Sequence, residues 1–245
     1  MSKIIVITGA GVGLGRALAR RFHADGDTVI LLGRTPAKVE AVADALGERA
    51  MAVGCDVSSP DSVRGAFAAI AARYPKIDVL INNAAVYEPI MIAEATDEQI
   101  LSTIGINLTG PILCARSAIP MMGPGGHIIN VSSESVDLPF PHLILYQSSK
   151  AGLEQFTKRL QVELEPNGIR VSTVRAGQMI DPDKTMAFDP VRGARFYEAA
   201  LAAGLNLGKR PISHVDSVTP IFRALLDLPP DVHAIGICVH ARAAG

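Results

Sequence analysis

Seven short apolar, largely β-branched runs punctuate the chain: 3–8 (KIIVIT), 28–33 (TVILLG), 50–57 (AMAVGCDV), 77–83 (IDVLINN), 126–133 (GHIINVSS), 169–176 (IRVSTVRA) and 234–240 (AIGICVH). They are continuously apolar rather than alternating, which is the pattern of parallel strands covered by helices on both faces. Between them lie segments with apolar residues at three-and-four spacing. These are GRALARRFHADG, AKVEAVADALG, SVRGAFAAIAARY, the long TDEQILSTIGINLTGPILCARSAIPMM and AGLEQFTKRLQVELEPNG, several ending at Gly or Pro. The alternation predicts one doubly wound α/β domain over residues 1–245, with a seven-stranded parallel sheet and helices on both faces. Residues 181–207 break the pattern, opening with DPDKTMAFDP and turning helical only in GARFYEAALAAG. An insertion after the sixth strand, at the carboxyl edge of the sheet, is the place for a substrate lid.

Composition narrows the partners. With 49% hydrophobic residues in 245, a large core is expected. Lys and Arg number 23 against 24 Asp and Glu, so no charge excess draws nucleic acid or an anionic membrane, and neither is expected as a partner. Cys55, Cys114 and Cys238 are odd in number and far apart, without zinc spacing, and the acids of DPDK have no partner histidines, so no metal is expected. The cysteines, the absence of a signal-peptide pattern and the lack of a membrane-length apolar run together predict a reduced, cytoplasmic setting.

Three features carry chemistry. Gly9, Gly13 and Gly15 are spaced G-x-x-x-G-x-G where the first strand meets a helix. Such a loop lets a pyrophosphate approach backbone N–H groups at the positive end of a helix. It serves helix–strand packing equally well, and it matches neither G-x-G-x-x-G nor a P-loop. Tyr146 has a lysine, Lys150, four residues on, as Tyr74, Tyr87 and Tyr197 do not. On a helix the two share a face, and an adjacent ammonium would lower the phenol pKa from about 10 and let Tyr146 exchange a proton; taken alone, the pair reads more readily as a surface aromatic beside a solvated lysine. Ser133 ends the fifth run, at the carboxyl edge where ligands bind, and its hydroxyl would donate to the same substrate oxygen.

The glycine triplet, NNAA after the fourth strand, the helix asparagine of GINLTG, Ser133 and Y-x-x-x-K occur in the order of the short-chain dehydrogenase/reductase family, which the chain resembles from about residue 3 to 240. The resemblance implies a Rossmann-type fold and a nicotinamide-dependent oxidoreductase acting on a small-molecule carbonyl or secondary alcohol. It makes Tyr146 the proton donor or acceptor, Ser133 the group orienting the carbonyl oxygen, and Lys150 a partner of the nicotinamide ribose that lowers the tyrosine pKa. Asn107 would shape a helix holding a relay water, although it could equally bond within that helix. Thr8 would brace the glycine turn, and Gly9, Gly13, Leu14 and Gly15 would cradle the pyrophosphate. Asp56 and Val57 would meet the adenine, with Asp56 as a helix start the alternative. Asn83, Ala84 and Gly177 would sit along the cofactor. The second strand ends at Gly33 where an acid would accept from a bare ribose, and Arg34 and Thr35 follow, so NADP(H) is expected over NAD(H). A homotetramer or homodimer built on helices at about 97–122 and 147–164 is implied. The alternative is a non-catalytic protein of the same fold that senses NAD(P).

The chain departs from the family at Ala85, at Ala176, in its last strand, and at Asp181, where a threonine commonly contacts the carboxamide. Glu134, His142, Gln178 and Met179 are expected near the substrate mouth. His142 reads either as a substrate contact or as a solvated loop residue, and Arg175 as a carboxylate clamp or as an ion-paired side chain.

Overall fold

In the computed structural model, which describes residues 2–183 and 189–243, each of the seven apolar runs contains a strand. In chain order the elements are β1 (Ile4–Thr8), α1 (Gly13–Ala24), β2 (Thr28–Gly33), α2 (Pro36–Leu46), β3 (Ala50–Gly54), α3 (Pro60–Arg73), β4 (Val79–Asn82), α4 (Asp97–Ile104) and α5 (Gly110–Ala118). They continue with β5 (His127–Ser133), α6 (Ile144–Leu164), β6 (Arg170–Ala176), β7 (Met179–Ile180), α7 (Pro190–Ala202), β8 (Ser213–His214), α8 (Val215–Leu226) and β9 (Gly236–Val239). The main sheet is parallel throughout, in the order β3-β2-β1-β4-β5-β6-β9. β7 and β8 form a separate short parallel pair. This is the Rossmann-type architecture, and the strand order reverses between β1 and β4.

Both faces of the sheet are covered, which is why its strands are continuously apolar. Ile5, Ile7, Val29 and Leu31 point into one core with Leu18 and Phe22 of α1 and Phe222 of α8. Val6, Ile30 and Leu32, the alternate positions, join Phe67 and Ile70 of α3, Cys114 of α5 and Leu160 and Leu164 of α6. Period-two side-chain direction puts neighbouring residues of β1 and β2 in opposite cores, so neither face of these strands is left to solvent.

Three boundaries differ from the sequence expectation. The third run was read to residue 57, but β3 stops at Gly54, and Asp56 and Val57 lie in the turn before α3, whose N-terminus Ser59 caps by accepting from the Ser62 N–H. The helical stretch at 97–122 is not one helix. A π-helical turn at Gly105–Thr109 separates α4 from α5, and Pro111 lacks the N–H that would close onto the Asn107 carbonyl four residues back. Helix α8 carries no prediction at all, because Pro220 stands in its interior. There the Thr219 hydroxyl donates to the Asp216 carbonyl at 2.8 Å, satisfying the acceptor that Pro220 cannot reach. Of the expected lid, 189–207 folds as α7 and the turn after it, and residues 184–188 lie outside the described residues. Among the described residues no helix is long and apolar enough to cross a membrane.

Candidate active site

The carboxyl ends of β1 and β4 meet at the point where strand order reverses. Gly9 has φ +66°, and a Cβ there would stand 2.9 Å from the Ala84 Cα. At Gly15 a Cβ would stand 2.4 Å from the Gly9 carbonyl oxygen and 2.6 Å from the Asn83 amide nitrogen, so loop and helix approach as closely as the backbone allows. Thr8 braces this contact, its hydroxyl oxygen accepting from the N–H groups of Asn83 and Ala84 at 3.0 Å each. The Asn83 side chain in turn donates to the carbonyls of Thr8 at 3.0 Å and Gly9 at 3.3 Å. Thr8 and Asn83 thus hold the glycine loop rather than face outward.

From that loop a cavity of about 870 Å³ runs across the sheet edge. Gly9, Gly13, Leu14, Asp56, Val57, Asn83, Ala84 and Gly177 all line it, as do Ser133, Tyr146 and Lys150. Arg34 lines the far end beyond β2, is exposed, and has no hydrogen-bonding or ion-pair partner among the described residues. Thr35 is exposed at the N-cap of α2 and lies outside the cavity wall, so it is not brought together with Arg34 there. Asp56 turns one carboxylate oxygen back to Ser58, accepting from its N–H at 2.9 Å and its hydroxyl at 2.6 Å.

The catalytic candidates converge where β5 and α6 meet. Tyr146 and Ser133 line the same cavity, the Ser133 hydroxyl near enough to the phenol to influence its ionisation. Lys150, 2% exposed, donates from Nζ to the Val131 carbonyl at 2.7 Å and sits 5.9 Å from the centre of the Tyr146 ring. The expected lowering of the tyrosine pKa is not what this geometry produces. Burial pushes the Tyr146 phenol up, and the Ser133 hydroxyl opposes this without reversing it. The same burial pulls the Lys150 ammonium down to about 8, with Glu154 opposing it. Asn107 lies in the π-helical turn, fully buried. Its Oδ1 accepts from the Val86 N–H at 2.9 Å, and its Nδ2 donates to the Val86 carbonyl at 2.8 Å and to the Ser149 hydroxyl at 3.1 Å. Asn107 therefore ties the turn to the loop after β4 and to α6, rather than presenting its amide to the cavity.

Around the substrate end the wall is apolar and aromatic, made by Tyr87, Phe140, Leu143, Phe196 and Ile212 with Met179. Tyr87 packs 5.5 Å from the Tyr146 ring, and its phenol is pushed up to about 12, first by burial and then by Tyr146. Phe140 and Phe196 are 6.4 Å apart. None of these aromatics carries a sequence signal, because nothing in spacing joins residues from three separate segments. Glu134 and Gln178 line the cavity as expected, with the Glu134 carboxylate held by Arg210 at 2.5 Å and by His240 at 3.0 Å. His142 lies outside the wall, in a left-handed backbone conformation (φ 59°), its carbonyl accepting from the Ile90 N–H. Arg175 is committed to Glu154 at 2.5 Å and to Asp137, which makes it an ion-paired side chain and not a carboxylate clamp. Asp181 was expected to bear on the carboxamide contacts, but its carboxylate is turned onto the glycine loop, accepting from the Gly13 N–H at 2.7 Å and pairing with Arg16.

Comparison with known proteins agrees with this geometry. A family model described as short chain dehydrogenase matches residues 3–190. An uncharacterized oxidoreductase of Methylorubrum extorquens is 34% identical over 211 residues, 84% of each chain. A short chain dehydrogenase from Burkholderia cenocepacia solved in complex with NADP superposes with TM-score 0.81 at 27% identity, covering 98% of this chain and 96% of that one. A 3-ketoacyl-(acyl-carrier-protein) reductase from Brucella melitensis complexed with NADH superposes with TM-score 0.79 at 26% identity, covering 97% and 96%.

Proposed function

The chain belongs to the short-chain dehydrogenase/reductase family, and from that premise we propose that it is an NADP(H)-dependent oxidoreductase that reduces uncharged, apolar ketones to secondary alcohols. The observation that carries the reading is that Ser133, Tyr146 and Lys150 stand together in one cavity with the glycine loop.

The residues present fit a dinucleotide. The close packing of Gly9 and Gly15 against Ala84 and Asn83 sets the loop at the start of α1, and Gly9, Gly13 and Leu14 line the cavity there, so backbone N–H groups and the helix dipole suit a pyrophosphate. Asp56 and Val57 would hold the adenine, Lys150 the nicotinamide ribose, and Gly177 the nicotinamide side. Solved neighbours of equal similarity carry NADP and NADH, so the choice of cofactor is argued from this chain's own residues. Gly33 supplies no carboxylate for a bare ribose, and Arg34, unpaired beside it, suits a 2′-phosphate.

When bound, the nicotinamide supplies the hydride. Tyr146, kept protonated by burial, donates its proton to the ketone oxygen while the Ser133 hydroxyl donates a hydrogen bond to the same atom. Asn107 positions α6, and so Tyr146, through Ser149, whose hydroxyl donates to the Tyr146 carbonyl at 2.7 Å. The aromatic wall and the engagement of Arg175 with carboxylates favour an uncharged substrate over a keto acid. A two-fold pairing of copies through α4, α5 and α6 belongs to the same reading, since Leu101, Ile112 and Val162 are exposed on those helices.

The test is NADPH oxidation followed at the nicotinamide absorbance with aryl ketones, decalones and short keto acids. Turnover is expected with the uncharged ketones and not with the acids. Dinucleotide binding without turnover across the whole set would instead support a non-catalytic sensor.

A further inference from the structure

Helix α1 begins without a side-chain cap of its own, because Val12 at its N-cap has no acceptor to offer. The acceptor comes from 168 positions later in the chain. Asp181, 9% exposed, follows β7 and turns its carboxylate onto the start of α1, where Oδ2 accepts from the Gly13 N–H at 2.7 Å. Both carboxylate oxygens also accept from the Arg16 guanidinium at 3.0 Å, and Asp183 adds a second carboxylate to the same nitrogen at 2.9 Å. A remote anion thus lies in the cavity on the glycine loop, at the end of α1 whose partial positive charge attracts anions.

We propose that Asp181 is a resident anion on the pyrophosphate seat, which a dinucleotide must displace, so that this residue sets cofactor affinity and couples cofactor binding to release of the segment 178–183 from α1. The inference rests on the dinucleotide reading above. Its physical basis is that one N–H cannot serve two anions at full strength, and that a carboxylate left beside a pyrophosphate repels it. Displacement also frees Arg16 from one of its two acidic partners. The carboxylate does not leave by protonation at ordinary pH. Burial pushes its pKa up, but the N–H groups of Asp183 and Gly13 and the Arg16 charge outweigh that and hold it below the usual carboxylate value. Asp181→Asn keeps the shape and removes the charge, and Asp181→Thr removes both the charge and the reach.

Dissociation constants for NADPH, read from its fluorescence, decide the matter in wild type and both variants, alongside adenosine 2′-phosphate, which keeps the adenine end and lacks the pyrophosphate. Both variants are expected to bind NADPH roughly 10- to 100-fold more tightly, with adenosine 2′-phosphate unchanged. Equal or weaker NADPH binding by a variant that melts like wild type overturns the inference, as does an equal gain for adenosine 2′-phosphate. If the substitutions prevent folding, hydrogen exchange in the wild type decides instead. The Asp183 amide donates to Asp181 Oδ1 at 3.1 Å, and NADPH is expected to speed its exchange, whereas added protection overturns the proposal. Failure of every protein to bind NADPH or NADH would overturn the dinucleotide reading and this inference with it, whereas binding by all three with equal constants overturns this inference alone.

Discussion

The Lys150 ammonium donates to the Val131 carbonyl at 2.7 Å and stands 5.9 Å from the centre of the Tyr146 ring. A charge held at the end of β5 in this way fixes α6 against the strand and keeps the ammonium facing the cavity, without bonding to the phenol. The state of Tyr146 is then set by its burial and by Ser133. A buried phenol whose pKa is raised is a proton donor at neutral pH, and the loss of its hydroxyl should stop turnover without disturbing the pocket.

Tyr146→Phe keeps the ring against Tyr87 and removes only the hydroxyl. Its kcat is expected to fall by roughly a hundredfold or more, while the NADPH dissociation constant stays within about twofold of wild type. Stopped-flow turnover and fluorescence titration on the same preparation check both halves. A variant retaining more than about a tenth of wild-type kcat removes Tyr146 from the chemistry.

Arg34 bears on cofactor choice. A charge-assisted contact to a 2′-phosphate is worth about 1.5 to 3 kcal/mol, so wild type is expected to prefer NADPH over NADH by roughly 10- to 150-fold in kcat/KM. Arg34→Ala should erase most of that preference, chiefly by weakening NADPH. A wild type that prefers NADH, or a variant that keeps its full preference, contradicts the assignment.

Gly15 has no room for a side chain, since a Cβ would fall 2.4 Å from the Gly9 carbonyl oxygen and 2.6 Å from the Asn83 amide. Gly15→Ala is therefore expected to push the glycine loop away from Asn83. Dinucleotide affinity should drop at least tenfold and the melting temperature should fall. Gly65→Ala, on the exposed side of α3 where a Cβ meets nothing within 4 Å, is the control and should leave binding unchanged.

His127 predicts the acid limb of stability. It is 1% exposed, with Nε2 bonded to the Ser172 hydroxyl at 2.8 Å and Nδ1 buried without a hydrogen-bond partner among the described residues. Burial, followed by the Arg170 charge and then His233, lowers its pKa from 6.5 to about 3. Between those values the unfolded chain takes up a proton that the folded chain refuses, so stability falls as pH drops through about 6.5 toward 3. Denaturant titrations at pH 7.5 and pH 5 should show the decline. His127→Gln should flatten it in part, because His233 is shifted in the same direction. An unchanged slope in the variant would place the acid sensitivity elsewhere.

Much of the fold is legible because its signals are local. Continuous apolar runs such as IIVIT and TVILLG mark strands buried on both faces without reference to the rest of the chain, and the glycine triplet and the Tyr146–Lys150 spacing rest on the geometry of one turn or one helix. Helix α8 escaped because Pro220 argues against a helix locally, and only the Thr219 hydroxyl on the Asp216 carbonyl shows how the missing bond is made good.

The sequence by itself determined the alternation of strand and helix, the position of the glycine loop at the first turn, and the placing of Ser133, Tyr146 and Lys150 on segments that end at one edge of the sheet. Tertiary structure alone decided what those groups experience. Burial is a property of the packed chain, and it raised the Tyr146 pKa where an adjacent lysine suggested a fall. Contact between remote residues is likewise invisible in spacing. Tyr87, Phe140 and Phe196 become one wall only when their segments fold over the same edge, Arg175 is claimed by Glu154 and Asp137, and Asp181 meets Gly13 because the chain after β6 returns to the start of α1. Local chemistry could be read along the chain, but electrostatic environment and long-range contact depend on distances that exist only once the sheet has formed.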